Sequence, residues 1–181
     1  MIPRFPLDYK MDPRLELVSY EGPNVLNIGA GINPIHGAVN ADSIQKPGID
    51  VVMDVTQAWP FPDGIFDKVL AFHIIEHIEA EQALHFFREA HRVLRPAALL
   101  IVECPDIVGL ARELLEGNWA ALRYIYSHNR APGDTHRWGY DASSLAALAT
   151  ACGFQRCLTK RGTDYHAVQM STVRLEAVRD A

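Results

Sequence analysis

The sequence predicts an α/β fold in which strands and helices alternate along one domain. Three observations carry this prediction. Short apolar runs recur at residues 25–28, 38–42, 51–53, 69–72 and 99–104, each with the length and branching of a buried strand. Segments of helical spacing separate the later runs. The first run ends in a glycine turn, Gly29-Ala30-Gly31, and the next two end in carboxylates, Asp42 and Asp54.

Val25, Leu26 and Ile28 form the first strand, and the glycine turn bends the backbone where a side chain would block a ligand. The stretch from Gly31 to Val39 is shorter than the roughly dozen residues of a crossover helix, so a single helical turn or an irregular loop is expected there. Ligands of open parallel sheets bind at the carboxyl ends of the strands, which places Asp42 to accept hydrogen bonds from ribose hydroxyls. Two details disfavour a dinucleotide site. Asn33-Pro34 stands where a third glycine is expected, and Asp42 follows Gly31 by 11 residues, against roughly 20 in the dinucleotide fingerprint. No Walker lysine follows the glycines, so nothing here is built for a polyphosphate.

After the strand at Val69–Phe72, Ala83, Leu84, Phe87, Ala90, Val93 and Leu94 fall at helical spacing within Ala80–Leu94, and Pro96 prevents continuation. Leu99–Cys104 is the next buried strand, ending at Pro105-Asp106. Ile107–Tyr126 reads as helix broken near Gly117-Asn118, followed by a polar loop over Ser127–Tyr140. Another helix starts at an Asp141 cap, runs through Leu145, Leu148 and Cys152, and stops at Gly153. Phe154–Thr159 and Val168–Val178 make closing strands, expected as an antiparallel pair.

A chain of 181 residues fits one domain, and no linker-like stretch divides it. Apolar residues make up 49% and charged residues 22%, an ordinary globular balance, and the net charge of −5 makes nucleic-acid binding unfavourable. The first 22 residues are expected as an N-terminal extension without the apolar core of a signal peptide, and no run reaches the roughly 18 apolar residues of a membrane span. A cytoplasmic location is expected. Cys104, Cys152 and Cys157 lack paired metal spacing and read as small apolar residues in a reducing compartment. Nothing in the sequence fixes the oligomeric state.

The chain resembles the class I S-adenosylmethionine-dependent methyltransferases, specifically small members related to the type 11 methyltransferase domain. Four segments carry the likeness: LNIGAG at 26–31, VNAD ending at Asp42, MDV at 53–55, and the run PFPDGIFDKVLAFHIIEHI at 60–78 with EAHRVLRP at 89–96. The resemblance implies a Rossmann-like, mostly parallel seven-stranded sheet with helices on both faces and an antiparallel last strand. It implies S-adenosyl-L-methionine as cofactor, with Gly29, Ala30 and Gly31 beneath the methionine part and Asp42 with Ser43 at the ribose. Asp54 and Val55 would meet the adenine, and His73 with Ile74 the sulfonium end. Asn27 stands where the family carries an acid, so that an amide would replace the carboxylate contact to the cofactor's amino group, and Ala97-Ala98 where it carries Gly-Gly. The insertion at 107–140 would then lie on the acceptor side.

His73-Ile-Ile-Glu76-His77 spells the H-x-x-E-H pattern of one class of zinc proteases. A zinc site needs a further ligand and all ligands on one helix face, whereas His73 directly follows a strand, so no metal is expected from this motif. Glu76 and His77 read as supports for the turn after the fourth strand. The 127–140 loop combines His128, Arg130, Asp134, His136, Arg137, Trp138 and Tyr140, a mixture suited to a polar or glycan-like small acceptor. For a hydroxyl acceptor, His136 and His73 are the candidate bases. His85 and His91 read as surface residues. The expected activity is methyl transfer to a small polar or carbohydrate-like acceptor; the alternative is a catalytically silent S-adenosylmethionine-binding subunit with a regulatory or scaffolding role.

Overall fold

The computed structural model describes residues 24–128, 133–163 and 169–180. The expected N-terminal extension, Arg130 and Val168, the first residue of the last predicted strand, lie outside them. One seven-stranded sheet runs in the order β3-β2-β1-β4-β5-β7-β6, with β1 Val25–Ile28, β2 Val39–Asp42, β3 Val51–Val52, β4 Phe66–Phe72, β5 Leu94–Pro105, β6 Phe154–Arg161 and β7 Thr172–Arg179. The pairs among β1 to β5 are parallel; β7 pairs antiparallel with both β5 and β6. The mostly parallel sheet with an antiparallel end is the architecture the resemblance implied.

Among the described residues four α-helices accompany it: α1 Ala83–Val93, α2 Ile107–Leu115, α3 Ala121–Tyr126 and α4 Ala142–Ala151. Helix α1 is preceded by a 3-10 turn over Ala80–Gln82 that the Glu79 and Gln82 side chains cap reciprocally. Asp141 caps α4 by accepting from the Ser144 amide at 2.8 Å, as the sequence predicts. The predicted break near Gly117-Asn118 separates α2 from α3. Residues 32–38 form turns rather than a crossover helix, as the short connection requires.

Alternation along the strands divides the core in two. Leu26, Ile28, Val69, Ala71, Leu100 and Val102 face α1 and α4, where Phe86, Phe87, Ala90, Leu145 and Ala149 complete the main cluster. On the opposite face Val25, Leu70 and Ile101 pack with Ile35 and Ala38 of the 32–38 turns. Burying each of these large side chains is worth about 1.5–3 kcal/mol, so the Phe86-Phe87 pair is a major anchor of α1. The three cysteines are free, and Cys104 is fully buried. His91, read from the sequence as a surface residue, instead pairs with Asp180 at 2.9 Å and lies edge-on to Phe154.

Arg92 locks the segment before β4 onto α1. Its guanidinium donates to both Glu89 oxygens at 2.7 and 2.8 Å, to the Trp59 and Phe61 carbonyls at 3.1 and 2.7 Å, and to Asp63 at 2.7 Å. Glu89 also accepts from the Trp59 amide at 2.7 Å. The Arg92 hydrogen bonds hold the Glu89 carboxyl below the usual carboxylate range, against the smaller opposing effect of burial. We expect Arg92→Ala to destabilise the domain by about 2–3 kcal/mol in urea denaturation, and Arg92→Lys to recover little of it because lysine has no fork. A carboxyl whose folded pKa is depressed stabilises above its unfolded value and loses this as pH falls through the folded one. The gap between wild type and variant is therefore constant near neutrality and shrinks below about pH 4.5; a gap that widened in acid would exclude the ion pair as its source.

Candidate active site

All the strand ends that the sequence marks for ligand binding lie on one edge of the sheet. Strand β1 is flanked by β2 and β4, both parallel to it, with Ile28 opposite Ala41 on one side and Ala71 on the other. The chain leaves β1 in one direction toward β2 and later returns on the other flank, and this change of direction opens a crevice at the carboxyl edge. Gly29 and Gly31 have φ of 67° and 58°, the left-handed region that glycine enters without strain. The amides of Gly29 and Ala30 both donate to the Ala41 carbonyl, at 2.8 and 3.1 Å.

Asp42 closes this turn. Its Oδ2 accepts from the Gly31 amide at 2.8 Å and its Oδ1 from the Ile44 amide at 3.0 Å. Lys46 lies 3.8 Å from Oδ1. Each oxygen keeps lone-pair capacity for a second donor. Asp54 accepts from the Thr56 amide and hydroxyl through Oδ1 at 2.9 and 2.8 Å. Ser43 follows Asp42 at an exposed bend, and Ile44, which the sequence reading did not single out, is 53% exposed beside it. A large apolar side chain left open next to a carboxylate was legible only as an unremarkable loop residue.

Asn27, which stands in the place of the family's acid, is engaged within the protein. It is buried, and its amide donates to the Asn40 side chain at 2.9 Å. Asn40 in turn holds the 32–38 turns through the Ile35 amide at 2.8 Å and the Ile35 and Ala38 carbonyls. The Asn27 amide thus braces the turns beside β2.

Beyond β4 the chain turns at His73, which has φ of 55° and donates its amide to the Glu103 carbonyl at 2.8 Å. A non-glycine residue held there stores strain of about 1–3 kcal/mol, a feature that concentrates at functional sites. The Ile74 side chain lies directly over Gly29, where any Cβ would overlap it. Residues 75–77 form a 3-10 turn in which Glu76 is 2% exposed. Glu76 Oε1 bonds His73 Nδ1 at 3.1 Å and stands 4.0 Å from His136 Nε2. Its backbone carbonyl accepts the Arg137 and Trp138 amides at 2.7 and 3.2 Å, and the His77 ring contacts the Thr135 carbonyl at 3.2 Å.

The described part of the polar loop, from residue 133, is therefore fastened to the 75–77 turn. His136 lies edge-on to His77 with ring centroids 4.7 Å apart. The loop ends at Tyr140, buried and bridged to Asp106, the cap of α2. Burial pushes the His136 imidazole below its ordinary pKa, an effect only partly opposed by Glu76. Burial pushes the Glu76 carboxyl up, but the hydrogen bond and charge of His73, with His77 and His136 nearby, leave it below the ordinary value. Sequence reading named His73 and His136 separately; the carboxylate between them emerges only from the fold.

A crevice at the reversal of a mostly parallel sheet, floored by a glycine turn that a carboxylate closes, is the site this α/β domain offers a ligand. Residues 26–102 match the model of the family described as "Methyltransferase domain". It is 32% identical over 123 residues to ajmaline N-methyltransferase of Rauvolfia serpentina, a match covering 54% of this chain and 38% of that protein. The chain thus spans well under half the length of this relative. Its fold is similar to that of an S-adenosylmethionine-dependent methyltransferase from Archaeoglobus fulgidus, with a TM-score of 0.63, 14% identity, and coverage of 86% and 85% of the two chains. It is also similar to that of the 1,6-didemethyltoxoflavin-N1-methyltransferase of Burkholderia thailandensis, with a TM-score of 0.61, 14% identity, and coverage of 87% and 71%. The fold is thus one shared with these methyltransferases of known structure. Among the described residues, no helix is long and apolar enough to cross a membrane.

The two glycines separate by what surrounds them. Gly29→Val meets Ile74 and adopts a strained backbone, and we expect a loss of about 2–4 kcal/mol in chemical denaturation. Gly31→Ala meets nothing closer than the Gly29 carbonyl, 3.8 Å from its added Cβ, and should lose only about 1–2 kcal/mol through left-handed strain. Equal losses at the two positions would show that the Ile74 contact is not what constrains Gly29.

Proposed function

We propose that this chain transfers a methyl group from S-adenosyl-L-methionine to a small polar or carbohydrate-like acceptor. The observation that carries the reading is the bond from the Gly31 amide to Asp42 Oδ2, because it sets a glycine floor and a carboxylate side by side at the carboxyl edge of the sheet. Gly29, Ala30 and Gly31 would underlie the methionine part, Asp42 and Ser43 the ribose, and Asp54 and Val55 the adenine. His73 and Ile74 would border the sulfonium. Exposed Ile44 offers the base an apolar shelf. Relatives named for ajmaline and for 1,6-didemethyltoxoflavin support a small-molecule acceptor.

Bound in this crevice, the cofactor supplies a methyl carbon already activated by its sulfonium. The residues of the chain align the acceptor opposite that carbon and keep water out. A nitrogen acceptor attacks with its lone pair and needs no base. A hydroxyl acceptor must lose a proton, and His73 is the better-placed group, at the end of β4 with Glu76 fixing its ring. His136, the other candidate, approaches the same carboxylate from the loop side.

Calorimetric titration with S-adenosylmethionine and S-adenosylhomocysteine tests the reading, and absence of binding by either would defeat it. Asp42→Ala should weaken binding by about 1.5–3 kcal/mol, the cost of losing hydrogen bonds to a charged group. Undiminished affinity in a folded Asp42→Ala protein would place the ribose elsewhere. With a hydroxyl acceptor, His73→Ala should lower turnover by about a hundredfold or more while cofactor affinity changes much less. If His136→Ala has that effect and His73→Ala does not, the base belongs to the loop. One observation favours a silent binding subunit instead: Asn27, standing in place of the family's acid, donates its amide to Asn40. Tight cofactor binding with no turnover across nitrogen, oxygen and carboxylate acceptors would establish that alternative.

A further inference from the structure

We propose that Glu76, His77 and His136 form a binding site for a divalent transition-metal ion of the zinc class, which fastens the loop from residue 133 to the turn after β4. The three residues offer one carboxylate oxygen and two ring nitrogens, all within 4.8 Å of one another. Donors at zinc distances of about 2.0–2.2 Å in a tetrahedron lie roughly 3.3 Å apart, so the set needs to draw in by at most about 1.5 Å. Two imidazoles and a carboxylate suit zinc with a fourth position left open.

A second observation is independent of this clustering. Glu76 is 2% exposed, and its Oε2 is buried with no hydrogen-bond partner. A bare carboxylate oxygen inside a protein is costly unless a cation meets it. His136 Nε2, at 4.0 Å from Oε1, is too distant to satisfy the carboxylate by a hydrogen bond. Glu76 and His136 also share the lining of a cavity of about 10 Å³, close to the space of one water molecule.

The surroundings hold the donors as outer partners hold metal ligands. His73 Nδ1 bonds the other oxygen, Oε1, at 3.1 Å and so fixes the carboxylate plane. The Thr135 carbonyl, which can only accept, keeps the proton of His77 on Nδ1 and leaves the lone pair on Nε2. The His136 ring is bonded to the Tyr124 backbone. The H-x-x-E-H pattern is thus used differently from the protease pattern it spells: His73 orients, Glu76 and His77 ligate, and the third ligand comes from His136, 60 residues beyond Glu76.

The site does not depend on the methyl-transfer reading, and its test uses the full chain without an affinity tag, stripped with a chelator. Zn²⁺ titrated by calorimetry, and Co²⁺ followed by visible absorption, should bind at one equivalent per chain, the cobalt form giving the intense bands of a tetrahedral site. Glu76→Gln, His77→Ala and His136→Ala should each weaken Zn²⁺ binding by more than about a hundredfold, since loss of an outer partner alone costs about 10- to 100-fold. His73→Ala should weaken it by about tenfold. Hydrogen exchange at the Arg137 and Trp138 amides should slow on adding Zn²⁺ to wild type. S-adenosylhomocysteine binding, measured in every variant, reports folding and the cofactor site separately. No stoichiometric Zn²⁺ binding by stripped wild type would overturn the proposal, as would full Zn²⁺ affinity in His136→Ala. If any single ligand variant fails to fold, the other two and the exchange measurement still decide.

Discussion

The parallel pairing of β1 between β2 and β4 is the constraint from which the rest of this structure follows. Parallel strands send all their carboxyl ends to one edge, and the register aligns Ile28 with Ala41 and Ala71. The glycine turn after β1, Asp42 after β2 and His73 after β4 consequently share one crevice, although 44 residues separate Gly29 from His73. Neither the turn nor the carboxylate is placed by local preference alone; the ladder between their strands brings them to hydrogen-bonding distance.

Around Glu76 the same edge gains its chemical character. One side chain and one carbonyl gather His73 from the end of β4 and three loop residues: His136 near the carboxylate, and the Arg137 and Trp138 amides at the backbone oxygen. A buried carboxylate is a costly element, retained where it orders other groups. Here it couples the end of β4, which borders the crevice, to the segment that precedes Tyr140 and α4.

A second buried charge steadies the neighbouring strands. Glu103 and Arg174 are both essentially inaccessible, face each other across β5 and β7, and bond at 2.7 Å. Thr163 bonds both residues and Glu176 accepts from Arg174. Such a pair adds little net stability over apolar residues of similar size, but losing one member leaves the other unpaired and buried. Its location matters because the Glu103 carbonyl accepts the His73 amide, so the pair fixes the strand that holds His73 in its left-handed conformation.

Much of this was legible from the sequence because it depends on local chemistry. The apolar runs gave the strands, Asp141 with Gly153 bounded α4, and the short 32–38 stretch could not hold a crossover helix. The glycine turn, Asp42 and His73 were recognisable because backbone conformation and strand ends impose residue types on their positions. What the sequence could not supply were relations between distant segments. No spacing pairs Asn27 with Asn40, which β2 places against it, and His91 looked solvated until Asp180 came beside it. His73, Glu76 and His77 spelled a motif lacking its last member. Only the return of the chain after α3 brings His136 to that turn, because such proximity is set by sheet order and loop docking, which no spacing along the sequence encodes.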